Sequence, residues 1–296
     1  MIPSTCDPES AESAPPPDAG EARRPDRRPA RMELPGRDGG TAGSGPDPPP
    51  APSGTPPGGS WAETDGRRLA RALLVTLATT VGVTAVSWLA PLKYSATLVG
   101  LAFLGVTWWM VLRHDEVTIR RHGLALGGLL EPLRIEPRRL LRDLGRALGV
   151  AAAFCVVVFP AYAVGFWAWW SPKRAFHLRP PPSIFDELTG QVLVIALPEE
   201  AFFRGYLQTA LDQVWPPRWK IFGAMLGPGW LLTALIFAVG HVLTSPNPGR
   251  LTVFFPALIF GWMRARTGGI GTGVAFHAAC NLFSATLIRG YGMTVP

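Results

Sequence analysis

From residue 69 onward, long apolar stretches alternate with short polar gaps, and this alternation is the strongest structural signal in the chain. Residues 69–90 read LARALLVTLATTVGVTAVSWLA, with Arg71 as the one charge. At about 1.5 Å rise per residue this stretch crosses a hydrocarbon core of roughly 30 Å, which predicts a first transmembrane helix. Residues 95–112 predict a second, ending in the Trp108-Trp109 pair that suits an interfacial aromatic belt. Residues 113–146 hold eight Arg and five acids, so they read as a loop, with an amphipathic helix lying on the membrane around 137–146. Residues 147–170 form a third span with Trp167, Trp169 and Trp170 at the far interface and Pro160 tolerated as a kink. After a Pro-rich loop, residues 188–211 predict a fourth, and Pro216-Pro217 closes the turn behind it. Residues 221–243 predict a fifth, broken or delayed by Gly227-Pro228-Gly229; residues 252–263 form a short sixth and residues 269–288 a seventh. The fold expected is all-α, a polytopic transmembrane helical bundle of about seven spans, between six and eight. No period of about 20 to 50 residues recurs, which argues against a solenoid.

Composition changes abruptly near residue 60. Residues 1–60 contain 15 of the 31 prolines and 9 of the 33 glycines, and no aromatic residue. Such a segment cannot bury enough apolar surface to offset the entropy of ordering it, so a disordered Pro/Gly-rich cytoplasmic tail is expected. Its first apolar run comes too late for a secretory signal, and its nine acids do not fit a mitochondrial presequence. Three parts follow: the tail at 1–60, N-terminal helices with a basic loop at 61–184, and a membrane core at 185–290. The three cysteines, Cys6, Cys155 and Cys280, have no disulfide or zinc-knuckle spacing.

The formal charge of +7 invites a nucleic-acid reading, but its distribution argues against one. The tail is −3 and the remainder +10, with the basic residues collected in gaps between uncharged stretches. Lys and Arg in the short loops place the N-terminus in the cytoplasm and the C-terminus outside. The expectation is an integral membrane protein of a bacterial inner membrane, with the bilayer as partner and no nucleic acid.

A charge at the bilayer centre costs about 2.5–3.5 kcal/mol on insertion scales, so ionisable residues within apolar helices point to function. Of the five acids beyond Asp143, only Glu199 and Glu200 lie in mid-helix, in LPEEAFFRGYLQTAL. Glu200 and Arg204 are i,i+4 neighbours and can pair. Glu199 points about 100° away, toward a face whose i+4 position is Phe203, and has no partner built into its own helix. Phe237 and His241 share a face of the fifth helix, and His277 and Asn281 a face of the seventh. A carboxylate, two imidazoles and a carboxamide from three helices make a hydrolytic constellation: Glu199 takes a proton from water while His and Asn donors stabilise an oxyanion. For Phe237 the packing reading dominates, and His277 with Asn281 would serve equally well as helix-to-helix glue.

These residues carry a resemblance. Glu199-Glu200-Ala201-Phe202-Phe203-Arg204 matches EExxxR, Phe237 to His241 matches FxxxH, and His277 to Asn281 matches HxxxN. Their order and separation resemble the CPBP intramembrane proteases, also called the Abi family, which include type II CAAX prenyl endopeptidases and bacteriocin-immunity-like proteins. The resemblance covers about residues 185–290. It implies that Glu199 and His241 activate the attacking water, that His277 and Asn281 bind the oxyanion, and that Glu200, Arg204 and Phe237 support the site. The family has been described both as metalloproteases and as glutamate-dependent proteases. No cofactor is favoured; in the alternative, a divalent metal such as zinc would take Glu199, His241 and His277 as ligands, although no HExxH helix is present.

The expected activity is that of an intramembrane endopeptidase acting on membrane-anchored protein or peptide substrates. Sorting-type bacterial members such as myxosortases suggest C-terminal anchors of exported proteins as one substrate class. The alternative is a non-proteolytic membrane-binding or immunity protein on the same scaffold. An ion-coupled transporter is disfavoured because no inverted repeat of broken helices is evident.

Overall fold

The computed structural model describes residues 60–126 and 136–293, with side chains from residue 65 onward. Residues 1–59, where the disordered tail was expected, and residues 127–135 of the basic loop lie outside the described residues.

The described chain is mostly helical. Helix α1 spans Ser60–Leu89, and α2 spans Leu92–Thr107 and continues through a π-helical turn at Trp108–Leu112. Helix α3 is the short Glu116–Arg121, whose first turn is capped by the Asp115 carboxylate accepting from the Thr118 amide. Helix α4 runs unbroken over Pro137–Trp170. The segment at 137–146, expected to lie on the membrane surface, is therefore the first turns of the third span. Pro137 starts that helix, and Pro160 is accommodated inside it.

Helix α5, residues 184–214, carries the EExxxR motif and is helical throughout. Wide π-helical stretches at Gly190–Ala196 and Ala201–Gln208 flank the α-helical turn Leu197–Glu200. A two-stranded antiparallel hairpin follows, β1 at Trp219–Ile221 and β2 at Ala224–Leu226, paired Trp219 to Leu226 and Ile221 to Ala224. The expected fifth span began inside this hairpin. Its helix, α6, instead spans Pro228–Thr244, because Gly227 is extended and Pro228 opens the first turn. Helix α7 is Phe254–Thr267, ended by Gly268 in the left-handed region at φ 76°, and α8 is Gly271–Gly290.

Among the described residues, four helical segments are long and apolar enough to cross a membrane: Asp65–Leu89, Leu92–Leu112, Pro137–Trp170 and Gly271–Gly290. The other three expected spans form helices outside that group: α5 carries Glu199, Glu200 and Arg204 within it, while α6 and α7 are shorter. The protein is an integral membrane protein in which long apolar helices pack against the shorter α6 and α7.

Leu74, Val156 and Val157 on α1 and α4 are strongly exposed, as lipid-facing side chains are. In lipid, apolar contact gives helices little reason to associate, so close approach and interhelical hydrogen bonds do more of the holding. At Gly100 an added Cβ would run into the Val194 carbonyl oxygen, so α2 and α5 meet backbone to backbone there. The interior is aromatic: Phe202, Phe237, Phe260 and Phe276 are all fully buried. Phe276 meets Phe260 edge-on at 5.9 Å and Phe154 of α4 at 5.8 Å, while Phe202 packs against Phe103 of α2 at 5.2 Å.

Candidate active site

The α-helical turn Leu197–Glu200 lies between the two π-helical stretches of α5, and short π insertions in helices are frequent at functional sites. From this turn Glu200 faces inward. Its Oε1 accepts from Arg204 Nη1 at 3.0 Å, and both side chains are fully buried. The same oxygen accepts from His277 Nδ1 of α8, also at 3.0 Å. Arg204 extends a second arm to the Ala257 carbonyl of α7, 3.3 Å away. Its guanidinium carbon lies 4.3 Å from the centroid of Phe237 and 5.0 Å from that of Phe260. A buried cation is thus neutralised by one carboxylate and faced by two rings, the arrangement that makes burying it tolerable.

Glu199 is held differently. Its Oε2 is buried and has no hydrogen-bond partner among the described residues. It lies 4.0 Å from His241 Nε2 and 3.8 Å from His277 Nε2. Both separations are too long for direct hydrogen bonds and fit a shared small polar group. The Glu199 and His241 side chains keep 14% and 20% of their surface, so this side of the cluster is open, whereas His277 keeps 5%.

The far nitrogens of both imidazoles are committed. His241 Nδ1 donates to the Phe237 carbonyl of the preceding turn at 2.9 Å, and His277 Nδ1 donates to Glu200. A carbonyl or a carboxylate can only accept, so each Nδ1 carries a proton, and in the neutral ring the Nε2 turned toward Glu199 is bare. Phe260 stacks on His277, centroids 4.7 Å apart and planes 15° apart, which fixes the ring plane. Phe237 touches His241 at 4.4 Å between centroids and covers Arg204.

Glu199, Glu200, Arg204, Phe237, His241 and His277 are therefore gathered into one cluster. Asn281 is half-buried one turn beyond His277 and makes no hydrogen bond among the described residues. Several neighbours were not singled out from the sequence. A Cβ on Gly273 would lie 2.9 Å from Glu200 Oε2. Gln208 continues the Glu200–Arg204 face by one more turn and donates to the Gly261 carbonyl at 3.2 Å. Trp230 Nε1 donates to the Leu258 carbonyl at 2.9 Å. The i+4 spacing of Gln208 from Arg204, and of His277 from Gly273, was available as a signal for two of them.

Among the described residues, no group of three His, Cys, Asp or Glu side chains is arranged to hold a metal ion. Glu199, His241 and His277 come nearest to one.

A polytopic helical membrane protein whose apolar interior encloses a carboxylate between two imidazoles is the class that fold and site define. Residues 182–283 match the family model described as Type II CAAX prenyl endopeptidase Rce1-like, a protease family, and the resemblance to the CPBP family is borne out over that stretch. The match contains every residue of the cluster. No curated protein and no solved structure matches the chain.

Proposed function

We propose that the protein is an intramembrane endopeptidase that hydrolyses peptide bonds of membrane-anchored protein substrates at the Glu199, His241, His277 cluster. The observation that carries this reading is the position of Glu199 Oε2, buried without a partner and facing the Nε2 of two histidines at 4.0 and 3.8 Å. That spacing supports a water held between the three groups.

Glu199 and His241 Nε2 are the two acceptors available to that water. One takes a proton as the oxygen attacks the scissile carbonyl carbon, and the carbonyl electrons move onto the oxygen. Collapse of the intermediate breaks the C–N bond, and the proton taken from water passes to the leaving amine. His277 is the first donor proposed for the oxyanion, from Nε2 when that atom carries a proton. Asn281, with its carboxamide unpaired, is the second donor proposed for the oxyanion. Glu200 and Arg204 position the motif turn and His277, and Phe237 supports both His241 and Arg204.

A bound divalent cation would supply Lewis-acid polarisation and a more acidic water, with Glu199, His241 and His277 as its ligands. As placed, these residues do not make a three-ligand group, and each step above is assigned to protein side chains alone. The proposed location is the bacterial inner membrane with a cytoplasmic N-terminus, supported by the Lys and Arg bias of the loops.

The test is Glu199→Gln, compared with the parent protein on a membrane-anchored reporter substrate in proteoliposomes. Loss of about 10²–10⁴-fold in cleavage with an unchanged unfolding temperature is expected. Full cleavage by the folded variant would refute the reading, and a non-proteolytic binding protein would show no cleavage in the parent either.

A further inference from the structure

The chain leaves α4 at Ser171 and returns toward α5 through a segment rich in cations and tied to the end of α8. His177 donates its backbone amide to the Gly290 carbonyl at 3.0 Å. The ring of Phe176 lies flush against Gly290, where any Cβ would overlap it. Tyr291 packs edge-on to Phe176 with centroids 5.4 Å apart and stacks on Phe166 of α4 at 6.1 Å. This aromatic wall borders a cavity of about 420 Å³ lined by Arg174, Ala175, His177, Arg179, Gly290 and Tyr291.

Two guanidinium groups converge there. Measured from the position a Cβ would take on Gly292, Arg174 Nη1 is 3.0 Å away and Arg179 Nη1 3.8 Å away. Neither arginine makes an ion pair or hydrogen bond among the described residues. The nearby Glu187 is already bound to Arg289 at 2.7 Å, so it does not neutralise them. Two unneutralised cations held this close repel each other, and an anion between them would remove that cost. The level in the membrane is marked by Trp167, Trp169 and Trp170 at the end of α4, all well exposed as interfacial tryptophans are. Phe176 and Leu178, both exposed, add apolar surface beside the cavity.

We propose that this cavity is a binding site for the headgroup of an anionic phospholipid, whose phosphate charge is not balanced by a choline ammonium. Arg174 and Arg179 clamp the phosphate oxygens, Tyr291 and His177 border the headgroup, and the acyl chains lie over Phe176 and Leu178. A guanidinium pair matches phosphate geometry better than an ammonium would, and the apolar surface fits a lipid better than a free anion. The site stands on different residues from the Glu199 cluster and does not depend on the proposed protease activity.

The test is thermal unfolding of the full-length protein in detergent micelles doped with either phosphatidylglycerol or phosphatidylcholine. Phosphatidylglycerol is expected to raise the unfolding temperature by about 3 °C, the shift expected for modest ligand stabilisation of a chain this size. Arg174→Gln with Arg179→Gln should abolish that rise, while the unfolding temperature in phosphatidylcholine should not fall below that of the parent, because both side chains are exposed and their mutual repulsion is removed. Arg113→Gln, at a distant cation stacked on Trp109, serves as the control and should keep the full rise. Equal behaviour in the two lipids, or a full rise in the double variant, would overturn the assignment. The same rise from inorganic phosphate in phosphatidylcholine micelles would also overturn it, in favour of a free-anion site.

Discussion

His277 donates its Nδ1 proton to Glu200 Oε1 across 3.0 Å, joining α8 to the motif turn of α5. Glu200 therefore does two things at once, pairing with Arg204 inside its own helix and fixing the tautomer of a histidine from another. Replacing Glu200 with Gln keeps an oxygen at that position but removes its charge. Orienting partners of this kind typically matter by about 10–100-fold. Cleavage by Glu200→Gln is expected to fall by about tenfold, and by Glu200→Ala by about a hundredfold, measured as kcat on one reporter substrate alongside the unfolding temperature.

Arg204 is the complementary case. Its removal leaves Glu200 as a buried carboxylate held by His277 alone, and breaking a buried pair by deleting one member costs about 3–5 kcal/mol. Arg204→Ala should lower the unfolding temperature by about 10 °C at this chain length. Arg204→Lys keeps the charge but not the second arm to the Ala257 carbonyl, so an intermediate loss is expected in the same measurement.

How much of this was legible in the sequence follows from which physical rule each feature obeys. Glu199, Glu200, His241 and His277 stood out because ionisable groups in apolar helices are costly and few. The Glu200–Arg204 pair was legible because it is local, set by i,i+4 spacing alone. The bond from His277 to Glu200 was not, since it depends on which helices are neighbours and how far each is rotated. Residues 221–226 were also misread, because a short apolar run next to a helix has no periodicity that separates strand from helix. The surface helix expected at 137–146 failed for a related reason: amphipathic turns can equally be the end of a long span leaving the membrane, and in α4 they are.

Gly273 and Gly240 offer a paired test of the packing around Glu200. A methyl group at Gly273 would sit 2.9 Å from Glu200 Oε2, so Glu200 must give way and carry the His277 contact with it. Overpacking of this kind costs about 1–3 kcal/mol, and Gly273→Ala should lose activity as well as stability. At Gly240, beside His241, nothing lies within 4 Å of the added carbon. Gly240→Ala should be neutral or more stable by up to about 1 kcal/mol, because alanine favours helix. The unfolding temperatures and cleavage rates of the two variants, measured together, check both statements; equal losses would show that the close approach at Gly273 is unimportant.

Asp212 gives a prediction about pH. It lies beyond the expected fourth span, in a pocket lined by Arg121, Gln208, Thr209 and Arg264. Its Oδ1 has no hydrogen-bond partner among the described residues, and a Cβ on the facing Gly229 would lie 2.8 Å from it. Burial pushes its carboxyl up to about 7 from an ordinary value of 3.8, against the opposing pull of Arg264 and of the neighbouring Gln208 side chain. The folded state therefore keeps this proton over a range where the unfolded chain has lost it. Stability contributed by the neutral form is complete below about pH 4 and is lost as pH rises through about 7, the reverse of the behaviour of a salt-bridged carboxylate. Asp212→Asn fixes a neutral group of the same shape, so it should remove this dependence and leave the variant more stable than the parent above pH 7. Apparent unfolding temperatures of both proteins between about pH 5 and about pH 8 test the sign, and a parent whose stability rises with pH through that window, with the rise removed in Asp212→Asn, would contradict it.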